Sequence, residues 1–201
     1  MVETDKKRDT IIEGAIKRFI HYGINKTTMN EIAEDLSVSK PSLYYYFPDK
    51  NSLILGVIDK VFSDYFELVE KDYAADVSLS DRLDSFIEIR HRFFQKYYML
   101  HLSGGSPDSS LNSEELKAHF VKMHDRNKKF HASIFQQGID AGEISDIDVD
   151  KTAELYLESL AGINSLCILH GNKELFPSKK EFKIMLEKQI NLSRIFVKGL
   201  K

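Results

Sequence analysis

The 201 residues contain one cysteine, Cys167, no tryptophan and only four prolines. A single thiol cannot close an internal disulfide, and it rules out a cysteine-rich zinc site. Its side chain reads as a small buried hydrophobe. No apolar run approaches the roughly 18 residues that would cross a bilayer. The charged stretch Met1 to Arg8 passes straight into an amphipathic pattern, without the apolar core and small-residue cleavage site of a signal peptide. The expectation is a cytoplasmic protein with no membrane role. Convincing apolar–polar alternation is missing, as are Asn-Gly and Asp-Gly hairpin turns. Without strands, no glycine-rich phosphate loop can follow one and no Ser/His/Asp order can be argued, so nothing speaks for an enzyme or a cofactor.

A net charge of −3 argues against a protein that coats nucleic acid by bulk electrostatics. The charge is unevenly placed. Residues 1 to 60 hold nine basic and nine acidic side chains, and the remainder carries all the excess negative charge. Between Leu36 and Pro48 the sole charged residue is Lys40. Contact with DNA there must be local rather than along a broad basic stripe.

What is present is helical periodicity, plain in Ile12, Ala15, Ile16 and Phe19 and again in Leu83, Phe86, Ile87, Phe94, Tyr97 and Tyr98. Pro41, Pro48, Pro107 and Pro177 all fall where a helix would start or end, as proline's missing donor and ring clash require. Thr28-Met29-Asn30-Glu31 and Ser178-Lys179-Lys180-Glu181 fit the capping box that opens a helix, whereas Thr10-Ile11-Ile12-Glu13 fits it inside an apolar stripe and is a false match. The resulting map is all-α, with helices over 6–22, 29–36, 40–46, 50–72, 80–102, 114–141, 149–171 and 179–198. Residues 103–110, rich in Ser and Gly, form the longest loop.

The stretch Thr28 to Lys50 carries the chemistry. A short capped helix presents Ile32, Ala33 and Leu36 on one face, and Ser37-Val38-Ser39 supplies a turn in which Val38 plugs the core and Ser39 caps the next helix. Pro41 is tolerated in that helix's first turn. This is a helix-turn-helix. Leu43 and Phe47 point inward at four-residue spacing. Tyr44, Tyr45 and Tyr46 span about 200° of arc, so they cannot all face one core. Lys40 and Ser42 can donate to base edges, while tyrosine hydroxyls and Lys50 can donate to phosphate oxygens.

Thr28, Ile32-Ala33, Val38-Ser39, Leu43-Tyr44-Tyr45-Tyr46-Phe47 and Lys50 resemble the signature of the TetR family of bacterial transcriptional regulators. Ser37 departs from it, since glycine is common there, and Tyr46 departs where histidine is frequent. Gly138-Ile139-Asp140-Ala141-Gly142-Glu143-Ile144 and Gly162 resemble recurring features of the family's regulatory half. The resemblance implies a three-helix DNA-binding domain over residues 1–50 and a helical ligand-binding and dimerisation domain over 51–201. The implied function is a ligand-responsive regulator, expected to repress, that binds a palindromic double-stranded DNA operator as a homodimer and is released by a small-molecule effector. The candidate DNA-binding residues are Thr28, Asn30, Ser39, Lys40, Pro41, Ser42, Tyr44, Tyr45, Tyr46 and Lys50. Phe94, Tyr97, Tyr98, His101, Phe120, Met123, His124 and Tyr156 are candidates to line an effector site, and Ala161, Gly162, Phe182, Leu186 and Ile190 to meet a second copy. The competing reading is a helical ligand-binding or interaction protein that keeps the fold without sequence-specific DNA binding.

Two patterns suggest metals and are weighed down. Glu88-Ile89-Arg90-His91 is a single Glu-x-x-His, where di-iron chemistry in helical bundles needs two copies and further carboxylates. His91 reads as a surface or polar-core histidine. His119, His124 and His131 share one long helix, the last two seven residues apart, and read as solvated or ligand-facing. No metal is expected.

Overall fold

The computed structural model describes residues 2–72, 77–98, 114–170 and 177–201. Eight helices and no strands are found among them: α1 Val2–Tyr22, α2 Met29–Asp35, α3 Lys40–Tyr46, α4 Lys50–Asp72, α5 Leu79–Lys96, α6 Glu114–Asp140, α7 Val149–His170 and α8 Lys179–Gly199. The fold is all-α. The sequence predicts a fifth helix running to 102, whereas α5 ends at Lys96; residues 99–102, among them His101, and the loop expected over 103–110 lie outside the described residues.

Local chemistry sets the boundaries. Thr28 and Glu31 form a complete capping box on α2, and Ser178 and Glu181 another on α8. Thr10 sits within α1 and its hydroxyl donates back to the Lys6 carbonyl at 2.9 Å, so it caps nothing. A box that the hydroxyl–carboxylate pattern does not capture opens α4. The Ser52 amide donates to the Asp49 carboxylate at 2.7 Å, and the Asp49 amide to the Ser52 hydroxyl at 3.3 Å.

Contacts gather the chain into two compact units, residues 1–67 with 96–119 and residues 68–95 with 120–201. In the first, Ile11, Ile12, Ala15 and Phe19 of α1 are buried, as are Ile32 and Ala33 of α2, Leu43 and Phe47 at α3, and Leu53, Ile54 and Val57 of α4. Burying such a side chain contributes about 1.5–3 kcal/mol. α1 and α2 approach closely because Gly14 has no side chain: a Cβ there would sit 2.6 Å from Leu36 Cδ2.

The second unit packs Leu79, Leu83 and Ile87 of α5 against Ile134 and Phe135 of α6, Ala153, Tyr156 and Leu160 of α7 and Val197 of α8. Buried Arg82 donates to Gln137 at 2.8 Å and to Glu143 at 3.0 Å, and the same Glu143 carboxylate accepts from the Leu79 amide at 2.7 Å. This latch joins the start of α5 to the end of α6. Gly138 permits it, since a Cβ there would lie 2.8 Å from Leu79 Cδ2. The run Gly138 to Ile144 is therefore a structural corner.

Candidate nucleic-acid interface

Helix α3 is anchored on one face and exposed on the other. Leu43 and Phe47 are fully buried, and the Arg8 guanidinium stacks over the Phe47 ring at 5.2 Å. The Ser39 hydroxyl accepts from the Ser42 amide at 3.3 Å, which fixes the N-terminus with Pro41 in its first turn. Lys40 and Pro41 are exposed, Ser42 and Tyr46 half-buried, and Val38, expected as a core plug, is half-buried. Tyr44 is 44% and Tyr45 76% exposed. Tyr45 and Tyr46 meet edge to face at 5.1 Å, so each limits the other's rotamers. The three tyrosines thus divide as helical geometry demands.

Around α3, Thr28 and Asn30 are exposed at the start of α2, and Lys50 is half-buried at the start of α4. Burial pushes the Lys50 ammonium down from its ordinary range, and the Glu31 carboxylate opposes the shift. Glu31 would repel phosphate if left uncompensated. It is instead paired with Arg18 at 2.8 Å, which also holds Asp35 at 2.6 Å. Hydrogen bonds from the Thr28 amide and hydroxyl hold the Glu31 carboxyl below its usual range, with Arg18 adding to the effect. These exposed or half-buried residues supply hydroxyls, cations and helix N-termini, the groups that meet phosphate oxygens and base edges.

The remaining candidates are scattered. Tyr156 is fully buried in the second unit, its hydroxyl donating to Ser193 at 2.8 Å. Phe94 is buried against Phe182, and Tyr97 and Tyr98 are buried at the end of α5. Phe120 and His124 are exposed and Met123 half-buried on α6. His131, at the spacing that should share a face with His124, is instead fully buried. His91 is buried as well, its ring edge to face with Phe182. No group of three His, Cys, Asp or Glu able to hold a metal occurs among the described residues. Cys167 is half-buried.

Of the residues expected to meet a second copy, Phe182 is 2% exposed, because it packs within its own chain against His91 and Phe94. Leu186 and Ile190 are half-buried against the core of the second unit. Ala161 and Gly162 are exposed, and a Cβ on Gly162 would meet nothing within 4 Å. Sequence reasoning missed Leu155, Leu166 and Leu169 on α7 and Ile184 and Ile195 on α8, all exposed. Their signal was present: Leu155, Gly162, Leu166 and Leu169 recur at seven-, four- and three-residue spacing, one face of a helix.

Residues 11–57 match the family described as bacterial regulatory proteins, tetR family. The chain is 23% identical over 128 residues to the biofilm operon icaADBC HTH-type negative transcriptional regulator IcaR of Staphylococcus epidermidis, covering 62% of this chain and 69% of that protein. Stretches aligned with the curated relatives amount to between 43% and 69% of those relatives' own length. A transcriptional regulator from Cytophaga hutchinsonii superposes with a TM-score of 0.82 at 27% identity, covering 96% of this chain and 98% of the other. A putative transcriptional regulator from Saccharomonospora viridis in complex with choline shares the fold at 17% identity, with a TM-score of 0.72 over 96% of each chain. With a capped α2, a turn at Ser37 and an exposed α3 in the matched segment, residues 11–57 are similar to the helix-turn-helix segment of the tetR family of bacterial regulatory proteins.

Proposed function

We propose that the protein is a ligand-responsive repressor that binds a palindromic double-stranded DNA operator as a homodimer and is released by a small-molecule effector. The observation that carries this reading is the division of α3 into a buried anchor, Leu43 and Phe47, and an exposed set, Lys40, Tyr44 and Tyr45. Residues 1–50 are the reading head, and residues 51–201 hold the effector and the second copy, in the cytoplasm where the operator is accessible. Lys40 and Ser42 enter the major groove, and Thr28, Asn30, Tyr44 and Lys50 bind phosphates on either side.

The similarity to a negative regulator supports repression, and the choline complex of a similar fold supports a small-molecule effector. The exposed leucines of α7 and isoleucines of α8 support dimerisation, because an apolar stripe of that kind is costly to leave in water. Effector and operator oppose each other by linkage, with a coupling of about 1–3 kcal/mol. Selection from a random duplex pool tests the reading. A recovered two-fold-symmetric sequence supports it, and recovery of asymmetric single half-sites or of no enriched sequence overturns it.

A further inference from the structure

A buried acceptor without a donor has lost its water for nothing, so native interiors rarely leave one unmet. The unit of residues 68–95 and 120–201 contains several such atoms, two of them one helical turn apart on α6, Nε2 of His131 and Oδ1 of Asn127. His131 has no exposure. Its Nδ1 lies 2.9 Å from the Asn127 backbone carbonyl. A carbonyl only accepts, so Nδ1 carries the proton and Nε2 presents a bare lone pair. Three rings stand around the imidazole, with centroids at 4.1 Å for Phe86, 5.6 Å for Phe130 and 5.8 Å for Tyr156.

The geometry points to a neutral hydroxyl-bearing aromatic, a phenol or aryl alcohol, as the ligand of this interior, its hydroxyl donating to His131 Nε2 with Asn127 Oδ1 beside it. This rests on, and deepens, the effector-responsive reading above. Other charge types fit worse. A carboxylate or phosphate offers no hydrogen to either acceptor. An ammonium offers hydrogens but must shed its water among aromatic rings and within electrostatic reach of the Arg90 guanidinium, which already acts on both His131 and Tyr156. A plain hydrocarbon suits the rings but leaves both acceptors unmet. Burial holds the imidazole neutral, with its pKa pushed down to about 4, so the lone pair is available at physiological pH.

The test titrates the full chain by calorimetry with 4-methylphenol, toluene, 4-methylbenzoate and 4-methylbenzylamine, and follows the ring nitrogens in 15N-histidine-labelled protein. The expected result is saturable binding of 4-methylphenol at least tenfold tighter than the other three, with a shift of the His131 Nε2 resonance. His131→Gln is expected to weaken 4-methylphenol at least tenfold, whereas Asn127→Ala, at a half-buried position that leaves the rings and the backbone carbonyl in place, is expected to change its affinity less than threefold, since one hydroxyl hydrogen meets one acceptor; a tenfold loss in Asn127→Ala with none in His131→Gln overturns the placement of the hydroxyl. Equal affinity for toluene overturns the proposal, as does an Nε2 resonance already hydrogen-bonded to internal water and unmoved by the phenol. Operator affinity is read separately on the selected duplex. A compound that releases DNA without moving His131 Nε2 overturns this ligand class and keeps the effector reading; tight phenol binding that leaves DNA affinity unchanged keeps the site and overturns its coupling.

Discussion

Ser37 occupies after α2 the backbone position that Gly142 occupies after α6. Each has positive φ, +52° for Ser37 and +69° for Gly142, and each sits in the same pair of bonds. Ser37 donates to Glu34 and Val38 to Ala33, while Gly142 donates to Ile139 and Glu143 to Gly138, all at 2.9–3.0 Å. This is the Schellman close, in which a left-handed residue satisfies the last carbonyls of the helix. Serine carries a steric penalty there that glycine does not. Ser37→Gly is expected to raise stability by about 0.5–1 kcal/mol, the relief of strain exceeding the added freedom of the unfolded chain. Gly142→Ala should lower stability by a comparable amount. Urea unfolding of both variants checks the pair, and a Ser37→Gly variant no more stable than the parent would refute the strain.

The cap on α2 connects stability to binding. Thr28→Ala removes the hydroxyl that accepts from the Glu31 amide and leaves the Glu31 carboxylate with fewer donors. The expected cost is about 1 kcal/mol in folding. DNA affinity should fall by more than the stability change explains, because Thr28 is exposed at the start of α2, which packs against α3. Parallel measurement of Tm and duplex affinity separates the two effects, and an unchanged affinity would assign Thr28 to capping alone.

Lys50 and Lys40 differ in position and should differ in kind. Lys50→Ala, present twice in a dimer, is expected to flatten the log–log salt dependence of binding by about 2 and to weaken all duplexes alike. Lys40→Ala should relax the preference at one base position, costing about 1–3 kcal/mol per half-site. Binding across a salt series, on the selected operator and on scrambled duplex, distinguishes them. Identical behaviour would refute the assignment.

His131 predicts a stability loss on mild acidification. Its folded pKa, about 4, lies below the ordinary 6.5, so the unfolded chain binds the proton more readily between those values. Stability is fully present above about pH 6.5 and falls as pH drops towards 4, by about 3 kcal/mol for this group alone. His91, also shifted down by burial, acts in the same direction. Carboxylates such as Glu31 and Asp148, held below their usual range, contribute their loss at lower pH. His131→Gln should flatten the profile between pH 6.5 and 4.5, and a variant with the parent's slope would refute the assignment.

The proposed dimerisation through the exposed stripe is open to charge insertion. Leu166→Glu or Ile195→Glu places a carboxylate on a side chain 54% or 70% exposed in the single chain, so folding should change by under about 0.5 kcal/mol. Sedimentation is expected to show a monomer with DNA binding reduced at least tenfold. A variant that remains dimeric would move the interface elsewhere.

Helix order and most helix starts were legible in the sequence because caps and prolines act locally: Thr28, Ser39 and Ser178 state where a helix begins without reference to anything distant. The Asp49–Ser52 cap escaped notice because its acceptor and hydroxyl are reversed relative to the commoner box. Helical period alone placed His124 and His131 on one face, yet His124 is exposed and His131 buried. Which stretch of a face is covered depends on neighbours that the period does not encode. Phe182 illustrates the same limit, since an apolar residue suits the core of one chain and the seam between two equally well. On α3 the division between buried and exposed was legible residue by residue, because which of Leu43, Phe47 and the three tyrosines turn inward follows from their angles about a single axis.

The side-chain bonds between α7 and α8 bear on how fast two copies would meet in the proposed dimer. Gln189 donates to the Leu160 carbonyl at 3.0 Å and to Asn164 at 2.8 Å, and Tyr156 donates to Ser193 at 2.8 Å. Sliding α8 along α7 by one turn would break all three bonds and strand their atoms in the interior. The two helices therefore behave as one stiff plate whose outward leucines and isoleucines keep fixed spacing before any encounter. Association then has little conformational freedom left to remove, and its rate should follow the chance of a correctly oriented collision rather than a slow rearrangement.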